Sequence, residues 1–285
     1  MTRLSSSDIS GINSRLHSYD KHLVDCTGRS MLDIACVCCG VDPDCVCELA
    51  SDYKIGVVPV TAGLGIISNF SDVVAAILAY LGFSVEVSET TDVTGFANTV
   101  EAGVDGIFMA DDNRFIGYDM KSGRLADNSE ATGRIYATAL HLMNRQNNDR
   151  QALVIGCGPV GCNAATRLLQ LGWSVVLYDT DTGKAESARQ LLQTLHADPD
   201  STGRARVSVD KEARPEDYLF IVDATPESQL ICENQLSETS YLVIPGVPPG
   251  ITAESFRFLD TRVIHDKLEL GVASMAVSLL KYRIS

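Results

Sequence analysis

A chain of 285 residues is long enough for two domains, each with its own hydrophobic core. Its 45% hydrophobic and 21% charged residues are typical of a soluble globular protein, and no apolar run reaches the ~18 residues of a membrane span. A formal charge of −14 argues against nucleic acid and anionic membranes as partners, because both would be repelled, and it is compatible with a cationic partner.

The N-terminus lacks the apolar core of a signal peptide, so we expect a cytoplasmic protein. In that compartment the nine cysteines are better interpreted as thiols or metal ligands than as disulfides.

The first predicted element is a helix. Ser5 and Asp8 have the spacing of a capping box, and apolar residues follow at helical intervals, at Ile9, Ile12, Leu16, Tyr19 and Leu23. The segment Cys36–Cys47 is then expected to be irregular. Its five cysteines do not have the C-x2-C spacing of structural zinc, so buried or exposed thiols are favoured and zinc or an iron–sulfur cluster is the alternative.

Strands and helices alternate through the rest of the first half. The predicted elements are a strand over Ile55–Val60 followed by a turn at Thr61–Gly65, a helix over Asp72–Leu81, a strand over Phe83–Val87, a helix over Asp92–Ala102, a strand over Gly106–Ala110, a hairpin turn at Lys121–Arg124 within 116–126, and a helix over Thr132–Asn144. This alternation predicts a small parallel-sheet α/β domain. The polar stretch Asn147–Arg150 marks its end.

The second half repeats the alternation. We predict strands over Ala152–Ile155, Val175–Tyr178, Tyr218–Val222 and Tyr241–Ile244, and helices over Val160–Leu171, Lys184–His196 and Gly271–Leu280. The fold class is therefore α/β with two domains. Residues 1–147 form the substrate domain, 148–268 form a Rossmann domain, and 269–285 form a helix that packs back toward the first domain.

A dinucleotide motif opens the second half. Gly156, Gly158 and Gly161 form G-x-G-x-x-G directly after an apolar strand and before a helix. The three glycines allow a tight turn, close approach of the pyrophosphate and close helix–strand packing, and the helix N-terminus attracts the phosphates. Pro159 and Val160 complete the loop, and Pro159 is tolerated because its missing N–H has no partner in the first turn.

Asp179 follows the next strand, 23 positions after Gly156. Its carboxylate would accept hydrogen bonds from the adenosine ribose and repel a 2′-phosphate, with Asp181 adding to that repulsion. NADP would require a basic residue close by, and the nearest, Lys184, is already on the following helix. The motif therefore predicts NAD as the cofactor.

Two further strand ends complete the predicted crevice. Thr225 and Pro226 follow one strand, after Asp223, and Pro245 and Gly246 follow another. The carboxyl ends of such strands line the ribose and nicotinamide side of the crevice. The alternative is that they are ordinary strand-ending turns.

An NAD domain joined to a second α/β domain predicts a cleft where substrate meets nicotinamide. Asp111 is the candidate catalytic side chain, because it stands where the strand Gly106–Ala110 ends, followed by Asp112 and Asn113. Adjacent acids before a turn are also common as capping residues, and that alternative stays open.

Four strings resemble the pyrrolysine synthase family in the same order along the chain. They are Val58–Ile67, Phe108–Asn113, Ala131–Ala137 and Leu270–Met275, and the resemblance is weak in the first fifty residues. It implies NAD-dependent oxidation of the terminal amine carbon of 3-methylornithyl-N6-lysine to an imine or semialdehyde, which then cyclises to pyrrolysine. The partner implied is thus a small, dipeptide-like cationic substrate.

The resemblance also implies site residues. Asp111 matches an aspartate that the family keeps in its active site, and a family helix that closes over the substrate would bring in Leu4. Substrate contacts are expected from Thr61, Ala62, Gly63 and Asn113. Relatives have a serine where this sequence has Ala62, so any hydrogen bond from that serine is lost or supplied otherwise.

The chemistry limits what Asp111 can do. Hydride leaves a neutral amine, yet an alkyl ammonium has a pKa near ~10.4, so neutralising it at pH 7 costs roughly 4–5 kcal/mol. An adjacent carboxylate raises that pKa. We therefore expect Asp111 to orient the substrate or to stabilise the cationic imine. The alternatives are another NAD-dependent amine, amino-acid or hydroxy-acid dehydrogenase and a non-catalytic NAD-binding regulator. The oligomeric state stays open, with a homodimer as one option.

Overall fold

The computed structural model describes residues 4–144, 149–195, 206–228 and 230–284. The chain divides into two compact units, each described by itself below. Unit 1 comprises Met1–Lys21, Arg29–Ala131 and Leu268–Ser285, and unit 2 comprises His22–Gly28 and Thr132–Lys267. The division at residue 131 comes earlier than the predicted domain boundary at 147, and residues 145–148 lie outside the described ranges.

Two helices form the N-terminus where one was predicted. The capping box is confirmed: the Ser5 side chain accepts from the Asp8 backbone and Asp8 accepts from the Ser5 backbone, at the start of α1 (Ser6–Ile9). The single long helix is wrong, because Gly11 takes a φ of +78° and α2 (Ile12–Thr27) begins after it. The left-handed region suits glycine and breaks the helical ladder.

The cysteine-rich segment is helical, which corrects the expectation of irregular structure. It contains α3 (Met31–Cys39) and α4 (Pro43–Ala50). Ser30 caps α3 in a capping box with Asp33, Gly40 ends it with a φ of +69°, and Asp42 caps α4. These start and stop signals outweigh the low helix propensity of cysteine.

The sheet of unit 1 is mixed, because hairpins add antiparallel strands to the predicted parallel part. Three strands, β1 (Lys54–Val58), β2 (Ser84–Val87) and β3 (Gly106–Ala110), are parallel and alternate with the helices α5 (Phe70–Tyr80) and α6 (Asp92–Glu101). Two hairpins then add β4 (Phe115–Asp119) and β5 (Leu125–Asp127) antiparallel, giving the order β2-β1-β3-β4-β5. The predicted turn at residues 121–124 is confirmed as the second hairpin.

The last helix, α11 (Glu269–Ile284), belongs to unit 1 and is buried on almost all sides over its first three turns. Near its end, Arg283 lies 3.0 Å from an oxygen of Asp105 and 3.5 Å from one of Asp119. Tyr53 donates to the same Asp119 oxygen at 2.6 Å. Burial disfavours the ionised Asp119, but the hydrogen bonds from Tyr53 and Ser122 outweigh it, and the pKa of Asp119 lies below its usual range.

Unit 2 contains a six-stranded, all-parallel sheet. The elements after α7 (Asn128–Met143) are β6 (Gln151–Ile155), α8 (Pro159–Gln170), β7 (Ser174–Tyr178), α9 (Thr182–Leu195), β8 (Val207–Val209), β9 (Phe220–Asp223), β10 (Tyr241–Ile244), α10 (Ala253–Leu259) and β11 (Val263–His265). The strand order is β11-β10-β9-β6-β7-β8, which is the doubly wound Rossmann order with its switch point between β6 and β9. The short elements β8, α10 and β11 were not predicted, and His196 of the predicted helix lies outside the described residues.

Trp173 is fully buried in the core of unit 2. Its ring meets Phe220 edge to face at 4.9 Å, and its Nε1 donates to His141 Nδ1 at 3.0 Å.

No helix within the described ranges is long and apolar enough to cross a membrane.

Candidate functional site

The glycine loop connects β6 to α8, and its geometry depends on glycine at two positions. Gly156 has a φ of +91°, and its N–H donates to the Tyr178 carbonyl at 2.8 Å. A Cβ on Gly161 would lie 1.9 Å from the Gly156 carbonyl oxygen, so the helix could not pack so closely with any other residue. A tight turn at Gly156 and close packing at Gly161 were both expected from the motif.

Gly158 is different, because a Cβ there would meet nothing within 4 Å. It is the N-cap of α8, with no side-chain cap, and Pro159 and Val160 form the first turn. The N-terminus of α8 therefore has no side-chain cap, and the helix dipole places partial positive charge there. This arrangement fits a pyrophosphate, which needs room above the loop and hydrogen-bond donors beneath it.

Asp179 follows β7 and is half-buried beside this loop. One of its carboxylate oxygens accepts from the Cys157 N–H at 2.8 Å and the other from the Asp181 N–H at 2.9 Å. The Asp181 carboxylate instead caps α9, accepting from the Gly183 and Lys184 backbone. Asp179 therefore holds the loop in place, and an ionised carboxylate has further lone pairs with which to accept from a ribose.

Two cysteines, Cys157 in the glycine loop and Cys162 in α8, have raised pKa values and are protonated at neutral pH. Burial, with the nearby Asp179 charge, raises the pKa of Cys157 to about 12, and Lys184 opposes this shift weakly. The pKa of Cys162 is raised for the same two reasons, burial first and Asp179 second. Since the thiolate is the nucleophile, Cys157 serves packing rather than chemistry.

The two other predicted strand ends meet each other. A Cβ on Gly246, which follows Pro245, would lie 1.9 Å from the Thr225 carbonyl oxygen, so the loops after β9 and β10 are in close contact. Thr225, Pro245 and Gly246 are half-buried, whereas Pro226 is exposed. These residues lie at the carboxyl ends of strands next to the switch point, where ligands of open α/β sheets bind.

Asp223 holds this junction and is fully buried at the end of β9. Its Oδ1 accepts from the Thr225 backbone at 3.1 Å and from the Thr225 hydroxyl at 2.7 Å. Its Oδ2 has no hydrogen-bond partner among the described residues and lies against Gly250, where a Cβ would come within 1.9 Å. Burial raises the pKa of Asp223 to about 6, because the hydrogen bonds from Thr225 compensate only part of the lost hydration.

The predicted substrate residues of unit 1 lie on the loop after β1. The Thr61 N–H and hydroxyl both donate to Asp92, at 2.8 and 2.6 Å, and the Leu64 N–H donates to Asp112 at 2.5 Å. Gly63 has a φ of +75°, and a Cβ on it would lie 2.1 Å from the Asp112 carboxylate. We call residues 61–65 the substrate loop; it is exposed at Thr61, Ala62 and Gly63 and anchored at both ends by aspartates.

Asp111 forms the turn of the hairpin after β3. Its Oδ1 accepts from the backbone N–H groups of Asn113 and Arg114, at 2.8 and 2.7 Å. These two hydrogen bonds, the one from Arg114 first, lower the pKa of Asp111, so the exposed carboxylate is ionised at neutral pH. The capping alternative is therefore present in the structure, while the charge stays available to a ligand. Asn113 is exposed in the turn, and Leu4 is half-buried directly before Ser5.

Asp92 is the site residue that sequence reasoning missed. The spacing placed it at the start of a helix, which it does begin, but its side chain reaches back to Thr61, 31 positions earlier. The only local signal was an aspartate beside a threonine pair. Within the described ranges, no group of three or more His, Cys, Asp or Glu side chains is placed to hold a metal ion.

The all-parallel sheet, the glycine loop and the acid at the end of β7 define a dinucleotide-binding Rossmann unit, of the kind found in two-domain dehydrogenases. The fold is similar to that of quinate dehydrogenase from Corynebacterium glutamicum in complex with NAD (TM-score 0.53, 14% identity, 82% of this chain and 94% of that one). It is also similar to shikimate 5-dehydrogenase from Thermus thermophilus in complex with NADP(H) and shikimate (TM-score 0.50, 16% identity, 80% and 92%). Identities this low establish the fold only.

Sequence comparison identifies the family. The chain is 35% identical over 281 residues to the pyrrolysine synthase of Methanosarcina barkeri strain Fusaro, covering 98% of each protein. Residues 8–126 also match the family described as pyrrolysine biosynthesis protein PylD, N-terminal domain. This chain belongs to the pyrrolysine synthase family.

We expect Asp223→Asn to stabilise the protein at neutral pH. Because the pKa is raised from 3.8 to about 6, the ionised carboxyl costs about 3 kcal/mol of folding free energy above pH 6, a cost that shrinks between pH 6 and pH 4. Asparagine keeps an oxygen for Thr225 and has no charge. Urea unfolding at pH 7.5 and pH 4.5 measures the effect, with Thr225→Val as the control that keeps the buried carboxyl and therefore keeps the pH dependence. An equal loss of stability at both pH values would contradict the assignment.

Proposed function

We propose that this chain catalyses the final step of pyrrolysine biosynthesis, the NAD-dependent oxidation of the terminal amine carbon of 3-methylornithyl-N6-lysine. The observation that carries the proposal is full-length membership of the pyrrolysine synthase family. Two features support it: a glycine loop that fits a dinucleotide, and an exposed, ionised aspartate beside an exposed loop in the other unit.

Each residue has a definite part in the proposed reaction. The glycine loop and the N-terminus of α8 hold the pyrophosphate, and Asp179 holds the adenosine ribose. A bound nicotinamide supplies the acceptor for the hydride that leaves the amine-bearing carbon. The R–CH2–NH2 group becomes R–CH=NH2⁺, and the ornithyl α-amine then attacks this carbon. A new C–N bond forms, ammonia leaves, and the five-membered ring retains the C=N bond. Hydrolysis to the semialdehyde before ring closure gives the same product.

Asp111 is suited to the charge that appears in this step. The pKa of Asp111 is lowered, so it stays a carboxylate and is a poor base for an amine. A fixed negative charge is worth most where positive charge develops, which is the iminium carbon and nitrogen. Asp111 thus stabilises the cationic product of hydride loss or orients the amine before it.

The reaction predicts a narrow substrate requirement. Purified protein should form NADH with 3-methylornithyl-N6-lysine and produce pyrrolysine and ammonia in equal amounts, but it should form none with lysine or ornithine. NADH absorbance and mass spectrometry of the product measure this. Turnover of a hydroxy acid instead would favour a different dehydrogenase, and NAD binding without turnover of any amine would favour a regulator.

Asp111→Asn should lower kcat/KM by about 10²-fold, because it removes the charge. Asparagine keeps the oxygen that accepts from Asn113 and Arg114, so the turn is preserved. The NAD dissociation constant and the melting temperature serve as controls and should be unchanged, whereas Asp111→Ala should also destabilise the turn. Wild-type kcat/KM in the asparagine variant would exclude the electrostatic role.

We also propose NAD, rather than NADP, as the cofactor. The Asp179 carboxylate lies beside the glycine loop, where it would repel a 2′-phosphate. Lys184 is the basic residue that could instead attract a 2′-phosphate, since its positive charge is close enough to lower the pKa of the Cys157 thiol.

The cofactor proposal is tested by the ratio of kcat/KM for NAD to that for NADP. Asp179→Asn should lower this ratio about tenfold or more, since the removal of ~1.4 kcal/mol of repulsion corresponds to a factor of ten. The matched control is Lys184→Ala, which should leave the preference for NAD intact. A wild-type preference for NADP that Lys184→Ala abolishes would reverse the proposal.

A further inference from the structure

The hydroxyl of Thr61 is oriented by a carboxylate. Its only proton is donated to Asp92 Oδ2 at 2.6 Å, and the Thr61 N–H is donated to Oδ1 of the same group at 2.8 Å. Hydrogen bonds to an ionised acceptor are short and strong. Since a hydroxyl has one donor and two acceptor lone pairs, the exposed Thr61 oxygen can only accept from a ligand.

Asp92, which orients the Thr61 hydroxyl, has an unusual backbone conformation. It has a φ of +55°, a region that costs most non-glycine residues free energy, and its own N–H donates to the Pro59 carbonyl at 2.9 Å. The side-chain and backbone hydrogen bonds from Thr61 lower the pKa of Asp92, so the carboxylate stays ionised. The half-buried Asp92 thus brings a negative charge directly behind the Thr61 hydroxyl.

The surroundings favour a cationic ligand. The substrate loop has a second ionisable anchor, Asp112, which accepts from the Leu64 N–H, and Asp111 is adjacent to it in sequence. The nearest cation in this turn, Arg114, is paired with Asp127 at 2.8 Å. Two backbone N–H groups of the loop already donate to aspartates, so a ligand meets hydrogen-bond acceptors on the loop and negative charge on the aspartates beside it.

We propose that Thr61, oriented by Asp92, accepts a hydrogen bond from an α-ammonium group of the substrate, and that Asp92 is a positioning residue for substrate specificity. This rests on the proposed function, which supplies a substrate with two α-amino groups. The reacting amine is excluded as the donor, because a carboxylate-backed acceptor would raise its pKa and oppose the deprotonation that hydride transfer needs.

Four variants isolate the oriented hydroxyl. Thr61→Val removes the acceptor, and Thr61→Ser is the matched control that keeps it. Asp92→Asn is a stringent test, because asparagine tolerates a positive φ and can still accept from the Thr61 N–H. Its amide N–H2 would then donate to the Thr61 oxygen, turning the hydroxyl proton toward the ligand. The double variant completes the cycle.

We expect Thr61→Val and Asp92→Asn each to weaken substrate binding and raise KM about 10- to 100-fold, the usual range for a hydrogen bond to a charged group. The double variant should be no weaker than the worse single variant, because both changes remove the same contact. Thr61→Ser should bind like wild type. The kcat, the NAD dissociation constant and the melting temperature should change little in all four variants, whereas a merely structural role would lower the melting temperature as well.

Substrate analogues decide which group is bound. Two analogues of 3-methylornithyl-N6-lysine, each with one α-ammonium replaced by hydrogen, are titrated by calorimetry into wild type and Thr61→Val. With one of them the penalty of Thr61→Val should disappear, and that analogue lacks the bound group. A penalty that persists with both analogues overturns the proposal, as does wild-type affinity in Asp92→Asn.

Binding and turnover are measured separately, so that the two proposals fail in different ways. Wild type that binds the dipeptide in calorimetry but forms no NADH contradicts the proposed function and leaves the Thr61 contact to be judged from the variants. Wild type that turns over the dipeptide with the variants unaffected overturns only the Thr61 contact. Absence of binding by wild type overturns both.

Discussion

Backbone N–H groups held by aspartate carboxylates are the interaction on which both candidate sites depend. Loops at the ends of parallel strands leave main-chain donors without strand partners, and each such donor must find an acceptor. Here the acceptors are side chains placed at the strand ends or at the start of the next helix. The residues are Asp92, Asp111 and Asp112 in unit 1, and Asp179 and Asp223 in unit 2.

A carboxylate suits this task because it accepts several hydrogen bonds at once. Asp179 shows the consequence for function: one group shapes the glycine loop through Cys157 and still has lone pairs for a ribose. Loop geometry and ligand preference are therefore coupled, and a substitution that alters one alters the other. The same coupling applies at Asp111, whose turn-forming oxygen and free charge belong to one side chain.

Holding loops with aspartates costs folding free energy at two positions. Asp223 is ionisable yet fully buried, and one of its oxygens lies against Gly250 without a partner among the described residues. Asp92 occupies a backbone region that disfavours side chains. Departures of this kind concentrate at functional sites, where geometry is retained at the expense of stability. Both residues hold loops that carry predicted ligand contacts.

Features whose signals lie close together in the sequence could be predicted, whereas contacts between residues far apart in the sequence could not. The Rossmann unit, the glycine loop and Asp179 were found because their signals lie within about 25 residues of one another. The helices α3 and α4 were not predicted, although Ser30, Asp42 and Pro43 are helix start signals, because cysteine has a low helix propensity. The contact of Asp92 with Thr61 could not be found, since no local pattern links residues that the β1–β2 connection brings together.

The negative charge of the aspartates beside the substrate loop constrains the chemistry more than any single residue does. Three aspartates close to one loop attract a cationic substrate, but they also hold protons on its amines, and an ammonium cannot lose a hydride. Both demands are met if the charges act on different groups. Asp92 and Thr61 would bind an ammonium whose carbon does not lose the hydride, and Asp111 would meet positive charge only once the iminium forms. The acidity of this region then contributes to affinity without opposing the oxidation.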